Sequence, residues 1–294
     1  LAFFADEEAG MTFGSRWMAS EHPEVFAGCS EAISEVGGFS VTVTGGKRLY
    51  FVEAAQKGIH WMRLTAQGRA GHGSMMNPEN ALTTLTEAVA KIGRYQWPQR
   101  YTRTVKILFS KIAEATGKRY DESDLRPLLA EIGPTERMIG ATLQNTANPT
   151  MLEAGYKANV IPGSASAVID GRFLPGYEDE LNETIREIIG PDITIETISR
   201  DIALEIDFEG DLVEAMCAAI KRFDPDGIPV PYLMSGGTDN KALSELGIIG
   251  YGFSPLKLPA DLDFMALFHG VDERVPISGL EFGVRVLEDF LENC

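Results

Sequence analysis

The sequence predicts an α/β protein, a sandwich built from two separated stretches of chain with an α+β segment inserted between them. Three observations predict it. The last third runs helix, strand, loop, helix, strand in order. Residues 248–253 are almost continuously apolar, as in a strand covered on both faces. The middle of the chain changes character at Pro78, where helical periodicity replaces strand-like alternation. We place the sandwich at about 1–58 and 200–294 and the insertion at 59–199.

Taken in order, residues 1–5 are an apolar run that stops at Asp6-Glu7-Glu8, which predicts a buried strand closed by an acidic turn. Phe13, Trp17 and Met18 stand at helical spacing. Segments 40–44 and 48–54 flank Gly45-Gly46, a hairpin signal. Residues 59–66 read as a strand and 68–74 as a loop of small residues. Leu82, Leu85, Val89 and Ile92 then mark one face of a helix. Residues 104–132 read as two helical pieces broken near Gly117, and 140–146, 150–154 and 164–173 as strands. An amphipathic helix over 178–189 is followed by an alternating strand over 193–198. Leu212, Met216 and Ile220 share a helical face, and strand 228–233, loop 235–240 and helix 241–246 lead to strand 248–253. A helix over 280–291 closes the chain.

The net charge of −17, from 26 basic and 43 acidic residues, argues against nonspecific binding to nucleic acid or anionic membranes. No apolar run reaches the roughly 18 residues of a membrane helix. Cys29, Cys217 and Cys294 are far apart and odd in number. They suggest neither a disulfide framework nor a cysteine metal site, and a cytoplasmic setting is expected.

Several segments could carry chemistry. Adjacent carboxylates in Asp6-Glu7-Glu8 repel unless a cation or proton neutralises them, and strand ends in open α/β sheets are where ligands bind. A solvated acidic turn is the plainer alternative. Glu35 beside Gly37-Gly38 could reach into a close-packed cleft or lie in an ordinary loop. Of the four histidines, His22 has no assigned role and His60 is expected to pack within its strand. His72 lies in a loop of glycines and His269 lies before charged residues; both are candidate ligands, or ordinary surface residues. Asn159 precedes a strand, and Arg172 lies on that strand with a guanidinium able to clamp a carboxylate. Ser235-Gly236-Gly237-Thr238-Asp239 could cradle an anion but lacks the spacing and lysine of a nucleotide-binding P-loop.

In their order along the chain, these segments resemble the M20 metallopeptidase family, the aminoacylase, carboxypeptidase and N-acyl-amino-acid hydrolase group. The matching stretches are Ala5-Asp6-Glu7-Glu8-Ala9-Gly10, Glu35-Val36-Gly37-Gly38, the loop from Gly68 to Ser74, Asn159-Val160-Ile161-Pro162, Asp170-Gly171-Arg172, the loop from Ser235 to Asp239, and His269-Gly270. The resemblance implies a catalytic α/β domain holding two zinc ions (cobalt or manganese being alternatives) and an inserted lid that makes a homodimer. It implies Glu7 as general base, Glu8 and His269 on one zinc, and Glu35 on the other. His72 would reach the partner's site and stabilise the oxyanion, while Asn159, Arg172 and the loop Ser235, Gly236, Gly237 and Thr238 would hold a small peptide or N-acyl amino acid. The family's upstream His and bridging Asp have no counterpart in 1–294, so the N-terminal part of the catalytic domain is expected to be missing. A dimeric binding protein without activity is the alternative reading.

Overall fold

The computed structural model describes residues 1–294. In chain order the elements are α1 Ser15–Glu21, β1 Glu31–Ser34, β2 Phe39–Thr42, β3 Arg48–Gln56, β4 Gly58–Gln67, β5 Gly71–His72, α2 Ala81–Arg94, α3 Arg103–Thr116, α4 Arg126–Leu129, α5 Glu136–Gly140, β6 Thr146–Ala154, β7 Val160–Ile161, β8 Ser164–Phe173, α6 Glu178–Ile189, β9 Ile193–Asp201, β10 Leu204–Glu205, α7 Asp211–Phe223, β11 Ile228–Met234, α8 Asn240–Ser244, β12 Ile249–Gly252 and α9 Ile277–Asn293. They form two compact units. One contains Leu1–Gln56, Tyr101–Leu143 and Leu204–Cys294; the other contains Lys57–Arg100 and Gln144–Ala203. No helix is long and apolar enough to cross a membrane.

The first unit is organised around β3, which pairs antiparallel with β2, β10 and β12 and parallel with β11; β12 in turn pairs parallel with β1. The expected hairpin forms: Phe39 pairs with Phe51 and Thr42 with Arg48 across a turn in which Gly45 and Gly46 take φ of 89° and 80°. Side chains alternate between the two sheet faces. Tyr50, Val52 and Ala54 pack against α7 and α9 through Val213, Met216, Ile220, Val286 and Phe290. The alternate residue Phe51 meets Phe39 and Tyr232 with ring centroids 5.8 and 5.7 Å away. Burial on both faces is why the central stretch Leu49-Tyr50-Phe51-Val52 is unbroken apolar sequence.

The second unit is a four-stranded antiparallel sheet in the order β6-β8-β4-β9, plus a short β5-β7 ribbon. Met62, Leu64 and Ala66 of β4 point toward α2 and α6, where Leu85, Ile92, Leu181 and Ile185 are buried. The periodicity of α2 is as expected, and its start is fixed by Asn80, whose side chain accepts from the Leu82 and Thr83 amides. Gly117, at φ 71°, ends α3 where the sequence breaks the helical pattern.

Three expectations are corrected. Residues 1–5 form no strand and pair with none; Leu1 and Phe3 are fully exposed or nearly so, because an apolar run becomes a strand only where a neighbouring backbone accepts its hydrogen bonds. Residues 140–146 also fail as a strand. The chain is helical to Leu143, and β6 begins only at Thr146, where pairing with Arg172 of β8 starts; a short mixed segment does not by itself distinguish a helix from a strand. Finally, the insertion is not one continuous block. Residues 101–143 belong to the first unit, where α3 carries buried Val105, Leu108, Phe109 and Ile112 and packs on β11.

Candidate active site

The acidic triplet sits in a turn built by its first member. The Asp6 carbonyl accepts from the amides of Ala9 (3.0 Å) and Met11 (2.9 Å), and Asp6 Oδ2 accepts from the Phe13 amide at 3.0 Å. Asp6 is therefore spent on structure, and Glu7 and Glu8 remain to face other groups. Only three non-glycine residues have positive φ: Asp6 (54°), Met11 (62°) and His269 (55°). Two bracket this turn, and the third places its Nε2 3.8 Å from Glu8 Oε1. Strained backbone of this kind gathers where surrounding structure holds a side chain in a particular place.

Glu35 follows β1 directly. It is held by the two glycines after it: Gly37, at φ 104°, has no room for a side chain, since a Cβ there would lie 2.4 Å from the Gly252 carbonyl oxygen. Gly37→Ala is expected to lower stability by more than about 1 kcal/mol, measured by urea unfolding, because Ala at positive φ is strained as well as crowded. An unchanged midpoint would show that the Glu35 turn is not fixed by this contact.

These carboxylates act on one another. Burial first, and then Glu35, Glu8 and Asp239, together push Glu7 up to about 7, while His269 opposes them. Burial also raises Glu35, followed by Asp239 and Glu8. Asp239 itself is raised by burial, with Asp6 adding to it. Glu7, Glu8, Glu35 and His269, assigned from distant parts of the sequence, thus share one electrostatic environment. Asp239 is a fifth member that the sequence reading left without a role. Its signal was present, as the acid closing the Gly-Gly-Thr-Asp loop.

The donor types suit a divalent cation: several carboxylates destabilised by one another, an imidazole beside one of them, and a buried Asp239 Oδ1 with no hydrogen-bond partner. The fit is partial. No group of three or more His, Cys, Asp or Glu side chains is arranged to hold a metal ion.

The loop after β11 differs from expectation at one residue. Ser235, Gly236 and Gly237 are partly exposed, but Thr238 is fully buried. Its hydroxyl accepts from Gln56 Nε2 at 2.7 Å and from the Asn240 amide at 3.3 Å, so Thr238 anchors the loop and does not face a ligand.

The second unit holds the other three candidates. His72 on β5 pairs with Val160 on β7, and the Gly73 amide donates to the Asn159 carbonyl at 2.8 Å, so His72 and Asn159 are neighbours. His72 Nδ1 accepts from the Ser74 amide at 3.3 Å, which leaves the proton of the neutral ring on the exposed Nε2. Arg172 lies elsewhere. Along β4 and β8, Gln67 pairs with Ser164 at the end next to the β5-β7 ribbon, whereas Ile59 pairs with Arg172 at the other end. Eight residues of strand separate the two ends, roughly 26 Å. Arg172 is also occupied: Nε donates to Asp170 Oδ1 at 2.6 Å, and a second nitrogen donates to Oδ2 at 3.1 Å. One copy of this unit therefore does not bring Arg172 to the same small pocket as His72 and Asn159. A cavity under α6 holds His60, but both ring nitrogens are engaged, by Asn182 (2.7 Å) and Thr197 (2.9 Å), as expected of a packed histidine.

Residues 54–193 match the peptidase dimerisation domain of the M20 family. The chain is 28% identical over 264 residues to "Probable carboxypeptidase S-like 2" of Dictyostelium discoideum, covering 87% of this chain and 47% of that protein. It is 24% identical over 260 residues to "N-fatty-acyl-amino acid synthase/hydrolase PM20D1" of Mus musculus, covering 84% of this chain and 51% of that one. The chain thus spans about half the length of the curated relatives it matches. In fold it resembles the M20 family metallo-carboxypeptidase Sso-CP2 of Sulfolobus solfataricus, with a TM-score of 0.67 at 15% identity over 98% of this chain and 68% of that one. Residues 54–193 thus match the M20 dimerisation domain, and the chain as a whole is similar in sequence and fold to M20 peptidases.

Proposed function

We propose that the chain belongs to a divalent-metal-dependent hydrolase that cleaves an amide bond next to a free carboxylate. Its substrates are small peptides or N-acyl amino acids, the compound classes in the names of its relatives. The observation that carries the reading is the environment of Glu7, a half-buried carboxylate among Glu8, Glu35, Asp239 and His269. A carboxylate raised to about 7 is poised both to take a proton from water and to return it to a leaving amine.

In this reading Glu8 and His269 would hold one cation and Glu35 would contribute to a second, with zinc the first choice and cobalt or manganese able to substitute. The cations would polarise the scissile carbonyl and make water acidic enough to attack at neutral pH. Glu7 accepts the proton of the attacking water and delivers it to the amine nitrogen as the C–N bond breaks. His72, with its Nε2–H outward, is the donor for the developing oxyanion; loss of such a donor costs on the order of 10²–10³ in rate. Asn159 and Arg172 bind the substrate, with Arg172 exchanging Asp170 for the substrate carboxylate. Ser235, Gly236 and Gly237 line the pocket. The separation of Arg172 from His72 supports a homodimer, in which the two ends of the second unit serve different active sites. No observation favours the alternative of a non-catalytic binding protein.

The test is hydrolysis of a panel of dipeptides and N-acyl amino acids, each paired with its carboxyl-amidated form, in the presence of zinc or after chelation. The expected result is cleavage that needs the metal and collapses on amidation. Equal cleavage of the amidated substrates would remove the carboxylate from the reading. Failure to cleave any member with metal bound would remove the hydrolase.

A further inference from the structure

The loop carrying Asp239 is fastened by side chains that never reach the acidic cluster. Gln56 is fully buried at the end of β3, and its amide makes three hydrogen bonds: Oε1 accepts from the Thr238 amide at 3.0 Å, and Nε2 donates to Thr238 Oγ1 at 2.7 Å and to Glu53 Oε2 at 3.2 Å. The Thr238 amide can only donate. Oε1 must therefore face it, and the orientation of the Gln56 amide is fixed by chemistry. Both amide protons are then consumed, so one side-chain geometry satisfies every donor. On the far side of Asp239, Asn240 is also fully buried, and its Nδ2 donates to Ser34 Oγ at 2.9 Å. Ser34 is the residue before Glu35. The two acids thus each sit one residue from a neutral side-chain hydrogen bond, fully buried at Thr238 and partly buried at Ser34.

We propose that Gln56 is a positioning residue for the amide hydrolase described above, clamping Thr238 at two points so that, with the Asn240–Ser34 bond, it fixes the spacing of the Asp239 and Glu35 carboxylates. Two like charges drift apart unless the backbone that carries them is held. A mobile loop would relax the cluster before any cation or substrate could use it. Neutral anchors suit this task because they hold the acids without neutralising them, as an Arg or Lys in contact would. Glu53 completes the support. It is fully buried, burial pushes it up to about 8, and it accepts from Gln56.

The inference rests on the proposed hydrolase but has a readout independent of it. Gln56→Met keeps the shape and removes all three hydrogen bonds. Gln56→Glu, neutral when protonated in this buried setting, keeps one acceptor and one donor toward Thr238. Hydrogen exchange of the peptide spanning 235–241, measured on the whole chain, is expected to quicken in Gln56→Met, to return most of the way in Gln56→Glu, and to be unchanged in peptides of α2 and α6. In the assay above, kcat/KM is expected to fall about 10–100-fold in Gln56→Met, the cost typical of removing the support of a site's ligands, with a smaller fall in Gln56→Glu. Unchanged exchange in 235–241 would overturn the inference, as would a kcat/KM equal to that of the parent chain. If the parent chain cleaves nothing, the hydrolase reading falls alone, and the exchange comparison still decides the role of Gln56. If Gln56→Met does not fold, Thr238→Val, which removes the hydroxyl that Gln56 Nε2 donates to while keeping the side chain's shape, gives the same comparison.

Discussion

Glu7→Gln is expected to lower kcat/KM for the best N-acyl amino acid or dipeptide substrate by roughly 10²–10⁴-fold, the range contributed by a positioned general base. The substitution keeps size and hydrogen-bonding capacity and removes only the ability to accept and return a proton. It should leave the fold intact, because the turn is held by the Asp6 side chain and by backbone bonds, including Gly10 N–H to the Glu7 carbonyl at 3.1 Å, none of which uses the Glu7 side chain. It also relieves repulsion, since Glu7 is one of several carboxylates crowded together. Thermal stability is therefore expected to hold or to rise while activity is lost. That opposite movement is the signature to measure, by parallel kinetics and melting curves. Activity within about tenfold of the parent chain would assign the proton transfer to another group. Activity and stability falling together would make Glu7 a structural residue.

Asp224→Ala is expected to destabilise the first unit by about 3–5 kcal/mol, as breaking one member of a buried ion pair does. Asp224 is almost fully buried at the end of α7 and binds three partners: Arg48 through both oxygens at 2.5 and 2.6 Å, Tyr50 Oη at 2.8 Å, and Lys257 Nζ at 3.4 Å. Removing the carboxylate leaves the Arg48 guanidinium and the buried Tyr50 hydroxyl without it. The effect is read by urea unfolding; a loss below about 1 kcal/mol would mean that water or Lys257 redistributes to cover Arg48. The same site predicts a pH dependence. Arg48 and Tyr50 hold Asp224 down at about 2, so the folded protein binds this proton less readily than the unfolded chain. The stabilisation is fully present above the unfolded value near pH 4 and is lost as pH falls toward 2. Asp224→Ala should flatten that acid limb.

Much of the architecture was legible because periodicity reports burial. The α6 bounds, the β8 bounds and the hairpin at Gly45-Gly46 follow from local pattern and turn chemistry, each of which acts within a few residues. The two strands read wrongly were short segments read without their tertiary context. Residues 1–5 have no partner, and 140–143 are helical because Ile139 and Leu143 are buried in a neighbourhood that the sequence does not display. The same limit explains why the 101–143 segment was assigned to the insertion: its helical pattern shows that one face is buried, not which unit buries it.

The candidate site divides along the same line. The sequence by itself determined the chemical types: an acidic triplet, a Glu before paired glycines, two histidines in special loops, and an Arg on a strand. It also fixed their order, which is what carries the resemblance to M20 peptidases. Only the tertiary structure decided who meets whom. It set Glu8 against His269, added Asp239 to the acids, turned Thr238 inward onto Gln56, tied Arg172 to Asp170, and placed Arg172 at the far end of a sheet from His72. The physical reason is that a residue's type is a local property, while its burial, its charge environment and its hydrogen-bond partner come from chain segments a hundred or more residues away.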